Sequence, residues 1–155
     1  MKDTFDTDPA AHQDRKAWMS LLAKAPKGRV AALLDASLSR PDHTWLRAPE
    51  IGSVMVRGRA GGTGAAFNLG EMTVTRCALQ LADGAVGHAY IQGRRKTDAE
   101  AAAIVDALMQ TDQAEAVRAA VLDPLQAEMT QAKTTRAAKA AATKVDFFTM
   151  VRGED

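Results

Sequence analysis

Three arginines, Arg59, Arg76 and Arg94, fall one to each of three consecutive strand-like segments. The first two are separated by Ala60-Gly61-Gly62-Thr63-Gly64, a run that neither a helix nor a strand interior favours. Consecutive small residues let backbone N–H groups point into one concavity, which suits a phosphate or another oxyanion. A guanidinium holds phosphate or phosphonate oxygens through two parallel hydrogen bonds. Arg59, Gly61, Gly62, Thr63, Gly64, Arg76 and Arg94 therefore form the candidate substrate-binding set, provided the strands bring the arginines to one end or face of a sheet. Taken singly, the same arginines read as solvated or partner-facing, and the glycine run as a flexible hairpin connection.

Other chemistry is sparse. The glycine run lacks a following Lys-Ser/Thr and enters a strand, so it is not a Walker A loop. His12 and His43 lie in polar, turn-like surroundings. His88 sits mid-strand beside Tyr90, without a second ligand at metal-binding spacing, and no metal site is expected. Cys77, the single cysteine, excludes an intrachain disulfide and reads as a small buried hydrophobe. No carboxylate pair stands out, and no residue is assigned a catalytic role.

The elements that must position these groups change period twice. Asp8-Pro9 can open a helix whose buried face is Trp18, Leu21, Leu22 and Ala25. Pro26-Lys27-Gly28 breaks it, and Val30, Leu33, Leu34 and Leu38 mark a second, so a helical hairpin is expected. The middle alternates in steps of two. Thr44 to Arg47 is a short extended piece closed by Ala48-Pro49. Gly52 to Arg59, Glu71 to Leu81 and Ala85 to Arg94 follow as strands, with Asp83-Gly84 as the hairpin signal between the last two.

Helices then return. Thr97-Asp98-Ala99-Glu100 has the spacing of a capping box, and Ile104, Val105, Leu108 and Met109 supply a buried stripe. A further helix, from about Pro124 to about Lys144, has only a thin apolar face. The fold class is α+β: a helical hairpin, a small antiparallel meander with a glycine-rich loop, then C-terminal helices and a hydrophobic tail. A frayed segment at 1–12, a core domain at 13–122, and a helical arm with a docking tail at 123–155 are expected.

Composition sets the outer limits. The chain has 155 residues, 46% hydrophobic and 25% charged, which is globular and long enough for one core. A formal charge of +1 gives no sign of nucleic-acid binding. No apolar run approaches the roughly 20 residues of a membrane span, and no signal-peptide core opens the chain, so a cytoplasmic protein is expected. The tail is unusual. Phe147, Phe148, Met150 and Val151 crowd the last residues after a helix with little apolar surface. They are expected to dock on a partner subunit, the other possibility being that they fold back onto the chain's own sheet.

The order Arg59-Ala60-Gly61-Gly62-Thr63-Gly64, Thr75-Arg76, Asp83-Gly84, Gly93-Arg94, and Ile104 to Gln110 resembles one family closely. The ending Val145-Asp146-Phe147-Phe148-Thr149-Met150-Val151-Arg152-Gly153 and the N-terminal Trp18-Met19-Ser20-Leu21-Leu22-Ala23 extend the likeness over nearly the whole chain. That family is PhnG, a subunit of the bacterial carbon–phosphorus lyase system. Arg57 and His88 depart from its pattern.

The resemblance implies a role in organic phosphonate catabolism, in a complex with PhnI, PhnH, PhnJ, PhnK and PhnL. There a phosphonate such as methylphosphonate displaces adenine from MgATP at the ribose C1. The chain is expected to assist that transfer within α-D-ribose 1-methylphosphonate 5-triphosphate synthase rather than to catalyse alone, with PhnI as the nucleosidase-like catalyst. It is expected to bind no cofactor of its own, MgATP being a substrate of the complex. The alternative is a purely structural assembly subunit that never touches substrate.

Overall fold

The structure is a computed structural model that describes residues 9–145. Helix α1 (Pro9–Ala23) begins on its proline, where the missing N–H costs nothing. Helix α2 (Arg29–Ser37) follows a turn in which Gly28 takes φ 77°, a left-handed value that suits glycine. Both helices pack on the sheet or on helix α3 (Lys96–Leu108) rather than chiefly on each other.

The sheet is a three-stranded antiparallel meander, β1 (His43–Arg59), β2 (Ala66–Leu81) and β3 (Val86–Gln92), in that order. The two pieces expected before Arg59 are one strand. Its register slips between Trp45 and Arg47 and again before Glu50, around Ala48-Pro49. β1 is an edge strand, where a residue without an N–H is tolerated. β2 likewise starts five residues earlier than the alternation from Glu71 predicts.

Alternation sorts the faces. Thr75, Cys77, Leu79 and Leu81 of β2, with Ala89 and Ile91 of β3, are buried against the helices. α3 is buried nearly all round, from Ala101 to Leu108, because the sheet covers one side while α1 and α2 cover others. Small residues permit this close approach: a Cβ on Gly87 would lie 1.9 Å from the Ala103 carbonyl oxygen.

The expected capping box does not form. Arg95 is the N-cap of α3 and makes no side-chain cap bond, so Thr97 is already inside the helix. Asp98 Oδ2 instead accepts the Gly28 N–H at 2.8 Å, tying the α1–α2 turn to α3. A short helix α4 (Ala114–Val117) and a π-helical turn (Arg118–Leu122) lead into helix α5 (Asp123–Ala142). Of α5 only Leu125 is buried, which fits its thin apolar face. Arg29 grips Glu128 through both carboxylate oxygens, anchoring the start of α5 to α2.

β3 pairs with β2 only between Val74 and Gln80. Beyond Thr73 the β1–β2 hairpin continues as two strands alone, roughly 25 Å to its tip at ~3.3 Å per residue.

Candidate functional site

The hairpin tip holds Arg59, Gly61, Gly62, Thr63 and Gly64 together. Gly61 and Gly62 take φ 60° and 80°, which explains two adjacent glycines in a tight 3₁₀ turn over Ala60–Gly62. The loop closes on itself: Gly64 N–H donates to Ala60 O at 2.8 Å, and Arg59 Nη1 donates to Gly64 O at 3.1 Å. Gly64 is required by contact, since a Cβ there would sit 2.7 Å from Ala60 O. Arg57 and Arg59, two apart on β1, share one side of the strand and line a shallow hollow of about 480 Å³ with Gly58, Gly62 and Ala66. Such a hollow can hold an oxyanion.

Arg76 is elsewhere. It pairs in register with Glu50, nine residues back from Arg59 along β1, which puts the two arginines ~30 Å apart. Its Nε donates to Glu50 Oε1 at 2.7 Å, and Arg47 Nε lies 3.6 Å from the same oxygen. That hydrogen bond is the main cause holding the Arg76 pKa above its ordinary value. Arg94 lies at a third place, after β3, exposed beside the first turn of α3. The convergence of the three arginines therefore does not occur within this chain. Antiparallel register carries consecutive strand ends in opposite directions, and a sequence does not display the length of the hairpin.

Two polar centres escaped the sequence reading. Asp106, wholly buried, accepts from Arg15 Nη2 at 2.7 Å, Arg15 Nε at 3.1 Å, Trp18 Nε1 at 2.9 Å and the His88 N–H at 2.9 Å. Its signal was a carboxylate inside the apolar run Ile104-Val105-Asp106-Ala107-Leu108. Asp98, also buried, keeps Oδ1 without a hydrogen-bond partner among the described residues. Thr75 forms a third tie: its Oγ1 donates to Gly93 O at 2.7 Å and accepts the Arg95 N–H at 2.8 Å.

Cys77 Sγ donates to Ala99 O at 3.2 Å, and burial pushes its thiol up to about 12. It is a packed thiol rather than a nucleophile. His88 is on the open side of β3, and its contribution to Asp106 is through the backbone. Among the described residues no group of three His, Cys, Asp or Glu is arranged to hold a metal, and no helix is long and apolar enough to cross a membrane. Phe147, Phe148, Met150 and Val151 lie outside the described residues.

The free half of the hairpin is sided. Val54 pairs with Met72 and Val56 with Gly70, while a Cβ on Gly58 would meet Phe67 and Leu69. Those apolar residues share the face away from α3, and Phe67 is 45% and Leu69 66% exposed. The other face carries Ser53, Thr73, Arg57, Asn68 and Glu71, with Met55 as its exposed apolar exception. An apolar sheet face left open is the feature of a surface made to be covered.

Comparison with known proteins bears on which chemistry this arrangement serves. Residues 13–153 match the family described as phosphonate metabolism protein PhnG. A relative from Rhizobium meliloti (strain 1021), alpha-D-ribose 1-methylphosphonate 5-triphosphate synthase subunit PhnG, is 44% identical over 156 residues, covering the whole of both chains. On a match of that extent, which takes in the hairpin, its glycine tip and α3 alike, the chain belongs to the PhnG family of phosphonate metabolism proteins.

Proposed function

We propose that this chain is a subunit of an α-D-ribose 1-methylphosphonate 5-triphosphate synthase within a carbon–phosphorus lyase assembly. In that role it helps direct a phosphonate oxygen to the ribose C1 of MgATP. The new C1–O bond forms as the C1–N9 bond breaks, and adenine leaves carrying a proton. The observation that carries this reading is the 44% identity to a subunit of that name over the whole of both chains.

The committed state of the chain's own reactive groups supports an assisting rather than a catalytic part. Cys77 is a raised-pKa thiol bonded to a helix carbonyl, and Asp106 is occupied by four donors. Partner subunits of the PhnI, PhnH, PhnJ, PhnK and PhnL types then supply the catalyst and cover the open hairpin face. The terminal Phe147, Phe148, Met150 and Val151 are proposed as a second docking element. Arg57 and Arg59 at the tip are the groups best placed to meet an anion held by a partner.

The assay is reconstitution with MgATP and methylphosphonate, following adenine release and the phosphorus spectrum of the product. With the subunit, ribosyl phosphonate forms; without it, the glycosidic bond is hydrolysed and no phosphonate ester appears. Unchanged transfer in its absence overturns the reading. The purely structural alternative is favoured by one observation, the closure of the glycine tip on its own hydrogen bonds. Arg59→Ala and Gly62→Val complexes separate the two: loss of transfer with assembly intact supports substrate contact, and full activity supports scaffolding.

A further inference from the structure

Another strand could join the sheet along β1, along β3, or along the half of β2 that β3 does not reach. The first two are guarded. On β3 the outward main-chain groups are taken by side chains: Val86 O accepts from Arg15 and Gln110, His88 N–H donates to Asp106, and Gln92 O accepts from Arg95. β1 carries Pro49 and the cations Arg47, Arg57 and Arg59, and its register slips twice around Ala48-Pro49. Prolines, charges and bulges of this kind keep an edge from accepting a strand.

The half of β2 beyond β3 has none of those guards except one bulge. β3 ends its pairing where Gly93 N–H donates to Thr73 O at 2.8 Å, and Gly93, at φ 84°, turns the chain away. Over residues 66–72 nothing among the described residues pairs with the side of β2 opposite β1. That stretch, Ala66-Phe67-Asn68-Leu69-Gly70-Glu71-Met72, contains no proline, lysine or arginine.

Register fixes which groups are free. Main-chain groups of successive strand residues point to alternate edges. Thr73 O faces β3, so the Glu71 N–H and C=O face the open edge, while those of Gly70 and Met72 face β1. The bulge falls at Leu69, the extra residue opposite the step from Val56 to Arg57, and bulges re-aim side chains. Leu69 is 66% exposed and stands with Phe67 over Gly58, so the open apolar face runs out to the open edge. One added strand covers both.

Charge selects the occupant. Glu71 is the one charged residue of the stretch, and it has no ion pair or side-chain hydrogen bond among the described residues. A second copy paired symmetrically about the Glu71 rung would set Glu71 against Glu71, and like charges directly opposite destabilise a ladder. The chain's own residues 146–155 offer Asp146, Glu154 and Asp155 against a single cation, Arg152.

We propose that the open edge of β2 at residues 66–72 takes a β-strand from a different subunit. Its main chain pairs with the Glu71 N–H and C=O, a lysine or arginine stands opposite the Glu71 carboxylate, and its apolar side chains cover Phe67, Leu69 and Met72. That a partner subunit exists rests on the proposed function; where its strand joins and what chemistry that strand carries rest on this edge.

The test reads hydrogen exchange at single amides of the full chain, alone and in the reconstituted assembly. Alone, the Glu71 amide should exchange freely beside protected Gly70 and Met72; in the assembly it should slow by about tenfold or more. Glu71→Pro removes an outward N–H and no bond to β1, so a subunit that keeps its Tm should lose co-purification with the partner. Glu71→Ala keeps the N–H and should weaken association by about fivefold at most, and Glu71→Lys should weaken it further. Unchanged exchange at Glu71 in the assembly overturns strand addition whether or not the proline variant folds. Normal assembly by a folded Glu71→Pro subunit also overturns it, and association of Glu71→Lys as tight as that of Glu71→Ala overturns the opposing cation. Slow exchange at Glu71 in the isolated chain overturns the different subunit as occupant: dependence on concentration would assign the edge to a second copy, and release on deleting residues 146–155 to the chain's own tail. If Glu71 is protected in the assembly yet transfer proceeds equally without the subunit, the functional reading fails and the edge stands. If transfer needs the subunit but Glu71 exchanges freely in the assembly, the edge alone fails.

Discussion

The Arg15 guanidinium holds the Asp106 carboxylate in two parallel contacts, Nη2 to Oδ2 at 2.7 Å and Nε to Oδ1 at 3.1 Å. The pair closes α1 over α3, and Trp18 Nε1 and the His88 N–H complete the carboxylate's shell. One wholly buried side chain thus joins the first helix, the last strand and the central helix.

Removing that carboxylate strands its donors. Asp106→Ala should cost about 3–5 kcal/mol, since it leaves a partly buried guanidinium, an indole N–H and a backbone N–H without their acceptor. Arg15→Ala should cost less, because Trp18 and His88 still serve the carboxylate. Urea unfolding of the two variants measures both, and equal, small losses would show the pair to be dispensable.

Cys77 makes a pH prediction. Its thiol is pushed up to about 12 by burial, with Glu100 adding to the effect, against 9.0 for an unperturbed cysteine. The folded state therefore resists ionisation that the unfolded chain accepts. Its contribution is intact below pH 9 and is lost between pH 9 and about 12, at about 1.4 kcal/mol per pH unit. Cys77→Ala should show a shallower fall in stability over that window. Native protein at pH 8 should resist iodoacetamide and react only when denatured; rapid native labelling would contradict the burial.

Gly87 is where β3 touches α3. A methyl group there would lie 1.9 Å from Ala103 O and 2.9 Å from Ala107 Cβ, so helix and strand must separate. Gly87→Ala should destabilise by about 1–3 kcal/mol or more, by overpacking. Gly70→Ala, where nothing lies within 4 Å, is the matched control. A similar Tm for the two variants would mean that the β3–α3 contact yields freely.

The exposed hairpin face predicts a separation of folding from assembly. Phe67→Ser and Leu69→Ser should alter the subunit's own stability by no more than about 0.5 kcal/mol, since both side chains are exposed. The same substitutions should reduce co-purification with partner subunits, where apolar anchors often cost about 2 kcal/mol or more when truncated. Deleting residues 146–155 tests the tail in parallel. Normal assembly by the hairpin variants would mean that partners leave this face open.

Much of the architecture was legible because it depends on local period and punctuation. Pro9 and Pro26-Lys27-Gly28 bound the first helix, Asp83-Gly84 turns β2 into β3, and alternation names Cys77, Leu79 and Leu81 as core. The glycines of the tip were legible too, since φ values of 60° and 80° exclude most other residues. Register, by contrast, is a relation between strands. The sequence placed Arg59, Arg76 and Arg94 on successive segments, but only pairing shows Arg76 opposite Glu50 and Arg59 far out at the tip. The capping box failed for a similar reason, because Glu100, its carboxylate, accepts from Arg40 sixty residues away instead of from its own helix. Asp106 was visible as a carboxylate in an apolar stripe, while its partners on α1 and β3 were not. Chain-local preferences act over a few residues. The pairing of a buried charge and the meeting of strand ends are settled by contacts that the tertiary fold alone brings together.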